Sequence, residues 1–79
     1  MIKPVINSYV FHEDKCWNVS TIYRQSSALS YIDWYYEIIV WEYDMEKKVR
    51  GRLVHQDEGL ENHFAICRTI IQEGAFWEE

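Results

Sequence analysis

The run YIDWYYEIIVWEY at 31–43 constrains this chain more than any other stretch of it. In an extended strand alternate side chains point to opposite faces. Ile32, Trp34, Tyr36, Ile38 and Val40 then fall on one face, and Tyr35, Ile39, Trp41 and Tyr43 on the other, with Glu37 among them. The residues are β-branched and aromatic, and both faces are apolar, which predicts a strand in the interior of a sheet.

The next segment reads as its hairpin partner. DMEKK at 44–48 is a short polar loop, and VRGRLVHQ at 49–56 returns. Pairing Tyr43 with Val49 sets Trp41 against Gly51, Ile39 against Leu53 and Glu37 against His55. On the opposite face it sets Glu42 against Arg50 and Ile38 against Val54. That register lays an indole over a glycine and pairs opposite charges across the strands. Upstream, VINSYVF at 5–11 and CWNVSTIY at 16–23 flank a polar HEDK turn and form a further hairpin. Pro4 suits its first strand to a sheet edge. RQSSALS at 24–30 is a polar, small-residue connection.

From Leu60 the period lengthens. Leu60, Phe64, Cys67 and Ile71 form one stripe of an amphipathic helix, widened by Ile66 and Ile70. His63 falls at its shoulder, and Glu61, Asn62, Thr69, Gln72 and Glu73 fill the outer face. Asp57 is the expected cap and Gly74 the expected stop. Phe76 and Trp77 are expected to fold back on the core. The fold class is therefore α+β: a three- to four-stranded antiparallel β-meander with one C-terminal amphipathic α-helix packed on one face. Residues 1–79 form one domain, with an N-terminal hairpin at 5–23, a central hairpin at 31–56 and the helix at 59–73.

Charge is unevenly placed. Residues 1–55 carry seven cations and seven acids, so the net charge of −5 resides in Asp57, Glu58, Glu61, Glu73, Glu78 and Glu79 against Arg68. That disfavours a phosphate-binding surface there and favours a basic partner. Solubility accounts equally for each acid taken singly. No apolar run is long enough to span a bilayer and no leader pattern opens the sequence, so a cytoplasmic protein without membrane attachment is expected. Two cysteines are too few for a disulfide scaffold.

His12-x-x-x-Cys16 and His63-x-x-x-Cys67 repeat one spacing of soft-metal donors. Together they raise a zinc-stabilised domain as an alternative. Against it, Cys67 lies mid-stripe, where cysteine behaves as a small hydrophobe, and the first pair falls in a turn. No metal and no cofactor are expected. Cys16, beside Lys15 and His12, has a setting that lowers a thiol pKa, yet no nucleophile elbow, phosphate loop or paired-carboxylate motif accompanies it. The chain reads as a non-enzyme. Sheet-borne rings raise a second alternative, a single-stranded nucleic-acid-binding module using Tyr35, Trp41, Arg50 and Arg52. Eight cations against thirteen acids disfavour direct nucleic-acid binding.

The segment Trp34-Tyr35-Tyr36-Glu37-Ile38-Ile39-Val40-Trp41 resembles the opening strand of small uncharacterised proteins of tailed phages and prophages, which carry a Trp-aromatic-Glu-Thr-apolar-Val-aromatic strand. In those proteins a second strand comes next, then a helix with a Gly-His pair near its start. Gly59-Leu60-Glu61-Asn62-His63 stands at that position here. The likeness spans residues 34–70. The group's Thr is Ile38 in this chain, and its Gly and His are separated. The resemblance implies a phage-type accessory protein on a ββα core, with the N-terminal hairpin extra. It brings no catalytic residues. Such a protein is expected to bind and inhibit or redirect a host protein, with nucleoid-associated, transcription or defence proteins as candidates. The expected contact set is Asp57, Glu58, Glu61, Glu73, Glu78 and Glu79, with Trp77 as apolar anchor. DNA mimicry ranks lower, since mimics carry denser acid runs. A homodimer through an exposed aromatic face is a further expectation.

Overall fold

A computed structural model describes residues 4–28 and 31–78 of the protein. Four strands form one antiparallel sheet in the order β1-β2-β3-β4, namely Pro4–His12, Lys15–Ala28, Tyr31–Asp44 and Val49–Glu58. The helix α1, Asn62–Glu73, packs over β1 and β2. The meander, the interior position of β3 and the edge position of β1 all agree with the sequence pattern.

Each junction has a local cause. Between β1 and β2 the turn is Glu13-Asp14, with Glu13 in the left-handed region at φ 57°. Between β3 and β4, Asp44 accepts the amides of Glu46 and Lys47 on Oδ1 at 2.9 Å each, an Asx arrangement that turns the chain. Gly74 ends α1 at φ 81°, a conformation that suits glycine, and donates its N–H to the Ile70 carbonyl.

The core lies between the sheet and α1. Val10, Trp17, Val19, Ile38 and Val40 supply the sheet side, and Ile66, Cys67 and Ile70 the helix side. Ala75, Phe76 and Trp77 fold back onto this cluster as expected, with Trp77 edge-on to Trp17 at 5.8 Å between ring centres.

Four details depart from the sequence reading. The β3–β4 register is set by two irregularities: Tyr43 pairs with Arg50, but Trp41 pairs with Leu53 and Val40 with His55. Extra residues accumulate in β4, so Gly51 lies beside Glu42 rather than Trp41. Glu37 consequently faces Glu58, not His55, and Glu42 meets Arg52, not Arg50. Second, β2 continues through residues 24–28, where the sequence pattern suggests a connection, and pairs with β3 as far as Ala28. Among the described residues neither outer strand pairs with the inner two beyond Ile22 and Glu37, where β2 and β3 continue paired with each other. Tyr23 stacks on Trp34 there at 5.0 Å. The rest of that expected connection, residues 29–30, and the side chain of Ile32 lie outside the described residues.

Third, the helix is rotated about its axis. Its buried residues are His63, Ile66, Cys67 and Ile70, whereas Phe64 is 61% and Ile71 54% exposed. The expected stripe is thus buried on its widened side, centred on Cys67, Ile66 and Ile70, which places His63 between two hydroxyls and seats Ile66 and Ile70 on the sheet. Fourth, Asp57 lies in β4 and does not cap α1, whose N-cap is Glu61 without a side-chain cap bond.

Candidate functional site

Two faces of the sheet have different fates. The face bearing Ser8, Val10, Trp17, Val19, Thr21, Ile38 and Val40 is covered by α1 and the tail. Alternation puts Tyr9, Phe11, Cys16, Asn18, Ser20, Ile39, Trp41 and Tyr43 on the other face, with no helix over them. Asn18, Ser20 and Ile39 are nevertheless buried. Longer neighbours on the same face shield them: Arg50 reaches across from β4 to Asn18.

On this open face the rings of Tyr9 and Tyr43 meet edge-on at 4.8 Å. Desolvation, and then the neighbouring Tyr9, push the Tyr43 phenol above its usual value. Tyr9, Phe11, Tyr43, Met45 and Lys48 line a cavity of about 350 Å³. Next to it Asn18 is locked: its Nδ2 donates to Asn7 Oδ1 at 2.7 Å and to the Ser8 carbonyl at 3.1 Å. Its Oδ1 accepts from Arg50 Nε at 2.7 Å, and the guanidinium lies 5.3 Å from the centre of the Trp41 ring. Tyr9, Phe11 and Leu53 remain 48%, 51% and 40% exposed, a set of large apolar groups facing solvent.

The expected site residues are placed as follows. Asp57, Glu58, Glu61, Glu73 and Glu78 are all exposed, as the outward-facing acids should be. They do not form one surface. Asp57, Glu58 and Glu61 gather at the start of α1, while Glu73 and Glu78 lie at or beyond its far end, about 18 Å away for a helix of this length. Glu78 also lies 3.8 Å from Arg52. Trp77 is half-buried against the core and so is not the free anchor expected of it. Glu79 lies outside the described residues.

Of the nucleic-acid set, Trp41 and Arg50 come together. Tyr35 shares their face but stands about 20 Å along β3 from Trp41, and Arg52 instead meets Glu42 at 3.4 Å. A signal for the open face is present in the alternation of Tyr9, Phe11, Cys16 and Asn18. It does not suffice, because nothing in a sequence says which face a helix will cover.

The two His-x-x-x-Cys pairs do different work. His63 is completely buried, with Nε2 2.9 Å from Ser8 Oγ and Nδ1 2.6 Å from Thr21 Oγ1. Burial holds its pKa below the ordinary imidazole value. Cys67, beside Ser8, has its thiol pushed up by burial. His12 Nδ1 is 2.9 Å from the Ile71 carbonyl oxygen. Cys16 lies on the open side of the sheet, away from the other three, and is buried. Desolvation raises its pKa, the reverse of the electropositive effect expected from Lys15 and His12. Among the described residues no three His, Cys, Asp or Glu side chains form a set able to hold a metal ion. No helix of the described residues is long and apolar enough to cross a membrane.

No protein-family model, curated protein or solved structure matches the chain.

Proposed function

We propose that this is a non-catalytic interaction protein that applies the open aromatic face of its sheet to another protein. The observation carrying this reading is the exposed apolar set Tyr9, Phe11 and Leu53 on a sheet face over which no second layer lies among the described residues. A small chain that leaves such groups in water gains by covering them. The acids at the two ends of α1 flank the other side. They serve to steer a basic partner into contact rather than to form the contact itself. The phage-type resemblance of residues 34–70 adds that the partner is a host protein, bound so as to inhibit or redirect it.

The test compares two variants in affinity capture from bacterial lysate. Tyr9→Asp with Phe11→Asp should abolish recovery of the dominant partner. Glu61→Lys with Glu73→Lys and Glu78→Lys should leave the complex but slow its formation and flatten its salt dependence. Recovery undiminished by the open-face pair rules out this surface.

A second reading has its own support: Arg50 over Trp41, next to the Tyr9–Tyr43 pair, is an arrangement on which single-stranded bases stack. Quenching of tryptophan emission by oligothymidylate at low salt is the expected result of that reading. Absence of quenching removes it.

A further inference from the structure

Arg50 differs from the other arginines of the sheet. Arg24 lies 3.0 Å from the Glu37 carboxylate and Arg52 lies 3.4 Å from that of Glu42. Arg50 meets no carboxylate among the described residues, and its Nε is instead held by a neutral, buried amide. Because Asn18 Nδ2 is committed to Asn7 and Ser8, the amide oxygen must face Arg50, and Asn18 itself is fully buried. The guanidinium is thus held at Nε from one side and by the Trp41 ring beneath. Among the described residues its two terminal amino groups have no hydrogen-bond partner. A guanidinium immobilised in this way is a ready-made bidentate receptor for a planar anion, since little side-chain entropy is lost on binding.

The neighbouring groups narrow the ligand. Asn18 is the register partner of Tyr9, and Arg50 that of Tyr43, so both residues neighbour side chains that line the cavity formed by Tyr9, Phe11, Tyr43, Met45 and Lys48. That cavity, about 350 Å³, is walled by rings and a thioether and fits one large apolar side chain. Cross-strand partners have Cβ atoms about 5 Å apart. An apolar side chain and a carboxylate carried on one Cα can bridge such a gap.

We propose that this corner binds the free C-terminus of a partner polypeptide whose last residue is large and apolar. The side chain enters the cavity, the terminal carboxylate takes the outer edge of Arg50, and Lys48, which lines the cavity, adds charge. A nucleic acid fits less well. Apart from the tyrosine hydroxyls and the Lys48 amine the walls carry nothing to read a base edge, and two cations on a chain of net charge −5 attract a polyanion weakly. The proposal rests on the open face being the contact surface and adds the chemistry of what it contacts.

The test is a titration of the full chain, followed by ¹H–¹⁵N correlation spectra of the Arg50 Nε–H and Trp41 Nε1–H. The probes are the peptide acetyl-Gly-Ser-Phe as free acid and as C-terminal amide. The acid should shift both resonances and bind about tenfold more tightly than the amide, as loss of one charge-assisted pair predicts. Arg50→Gln should erase that preference. Arg50→Lys, which keeps the charge and can still donate to Asn18, should retain a reduced one. Phe11→Ala should weaken acid and amide alike. Equal binding of acid and amide, or a preference surviving in Arg50→Gln, overturns the proposal. So does oligothymidylate shifting these resonances where neither peptide does. If the preference is absent while the open-face variants still lose the captured partner, the carboxylate site fails and the interaction reading stands. A clear preference with partner capture unaffected by those variants has the opposite meaning.

Discussion

His63 Nδ1 lies 2.6 Å from the hydroxyl of Thr21, fastening the helix to the second strand at a point with no access to water. Ser8 on β1 approaches the other ring nitrogen at 2.9 Å. A neutral imidazole offers one donor and one acceptor, and two hydroxyls can match either tautomer. An imidazolium offers two donors and carries a charge that this site cannot solvate.

That relationship sets a pH dependence. The folded-state pKa of His63 lies below the ordinary 6.5, so the unfolded chain binds the proton first as pH falls. The stabilisation is complete above 6.5, declines as pH drops below it, and stops declining once the folded-state pKa is passed. Urea unfolding at about pH 8 and about pH 5 should show lower stability at the acid pH, and His63→Gln should reduce the difference. Equal pH dependence in wild type and variant would mean that other groups dominate.

Thr21→Val tests the same contact without adding charge. It leaves a buried imidazole nitrogen short of a partner and should cost about 1–3 kcal/mol in chemical denaturation. A neutral outcome would show that water replaces the hydroxyl.

The orientation of α1 is tested by charge insertion. Ile70 is completely buried, and Ile70→Asp should prevent folding, seen as loss of the thermal transition. Phe64→Asp, at an exposed position, should change stability by no more than about 0.5 kcal/mol. The simple apolar periodicity leads one to expect damage from Phe64→Asp, so this pair separates the two helix faces.

Glycines 51 and 74 should respond differently to alanine. A Cβ at Gly74 would stand 2.9 Å from the His12 ring, which the Ile71 carbonyl holds in place, and φ there is 81°. Gly74→Ala should lower stability by more than about 1 kcal/mol. At Gly51 the nearest atom to a new Cβ is the Glu42 carbonyl oxygen at 3.5 Å, ordinary contact, and Gly51→Ala should be tolerated. Thermal melts of the two variants check both.

Trp77→Ala should destabilise the domain by about 2 kcal/mol. Its indole packs edge-on against Trp17 and lies 6.3 Å from the His55 ring. If stability is unchanged while partner capture is lost, Trp77 is the apolar anchor that the sequence suggests and the tail is not part of the core.

The sequence by itself determined the order of the elements, with three or four strands left open and residues 24–28 read as a connection rather than as part of β2. Period-two alternation of β-branched and aromatic residues marks β1 to β4, and the change of period after Leu60 marks α1. Both are local signals, fixed by how side chains project from a strand or a helix. Gly74 stops the helix for an equally local reason. Only the tertiary structure decided between near-equivalent alternatives. The stripe of Leu60, Phe64, Cys67 and Ile71, widened by Ile66 and Ile70, is apolar throughout; its Ile66–Ile70 side is the one buried, where His63 meets Ser8 and Thr21, residues far away in sequence. The β3–β4 register depends on extra residues taken up in β4, which shift Trp41 off Gly51 and His55 off Glu37. The open face, with Arg50 held between Asn18 and Trp41, exists because α1 and the tail cover the opposite side. Alternation defines two faces of a sheet without ranking them, and only the packing of one against the helix leaves the other open.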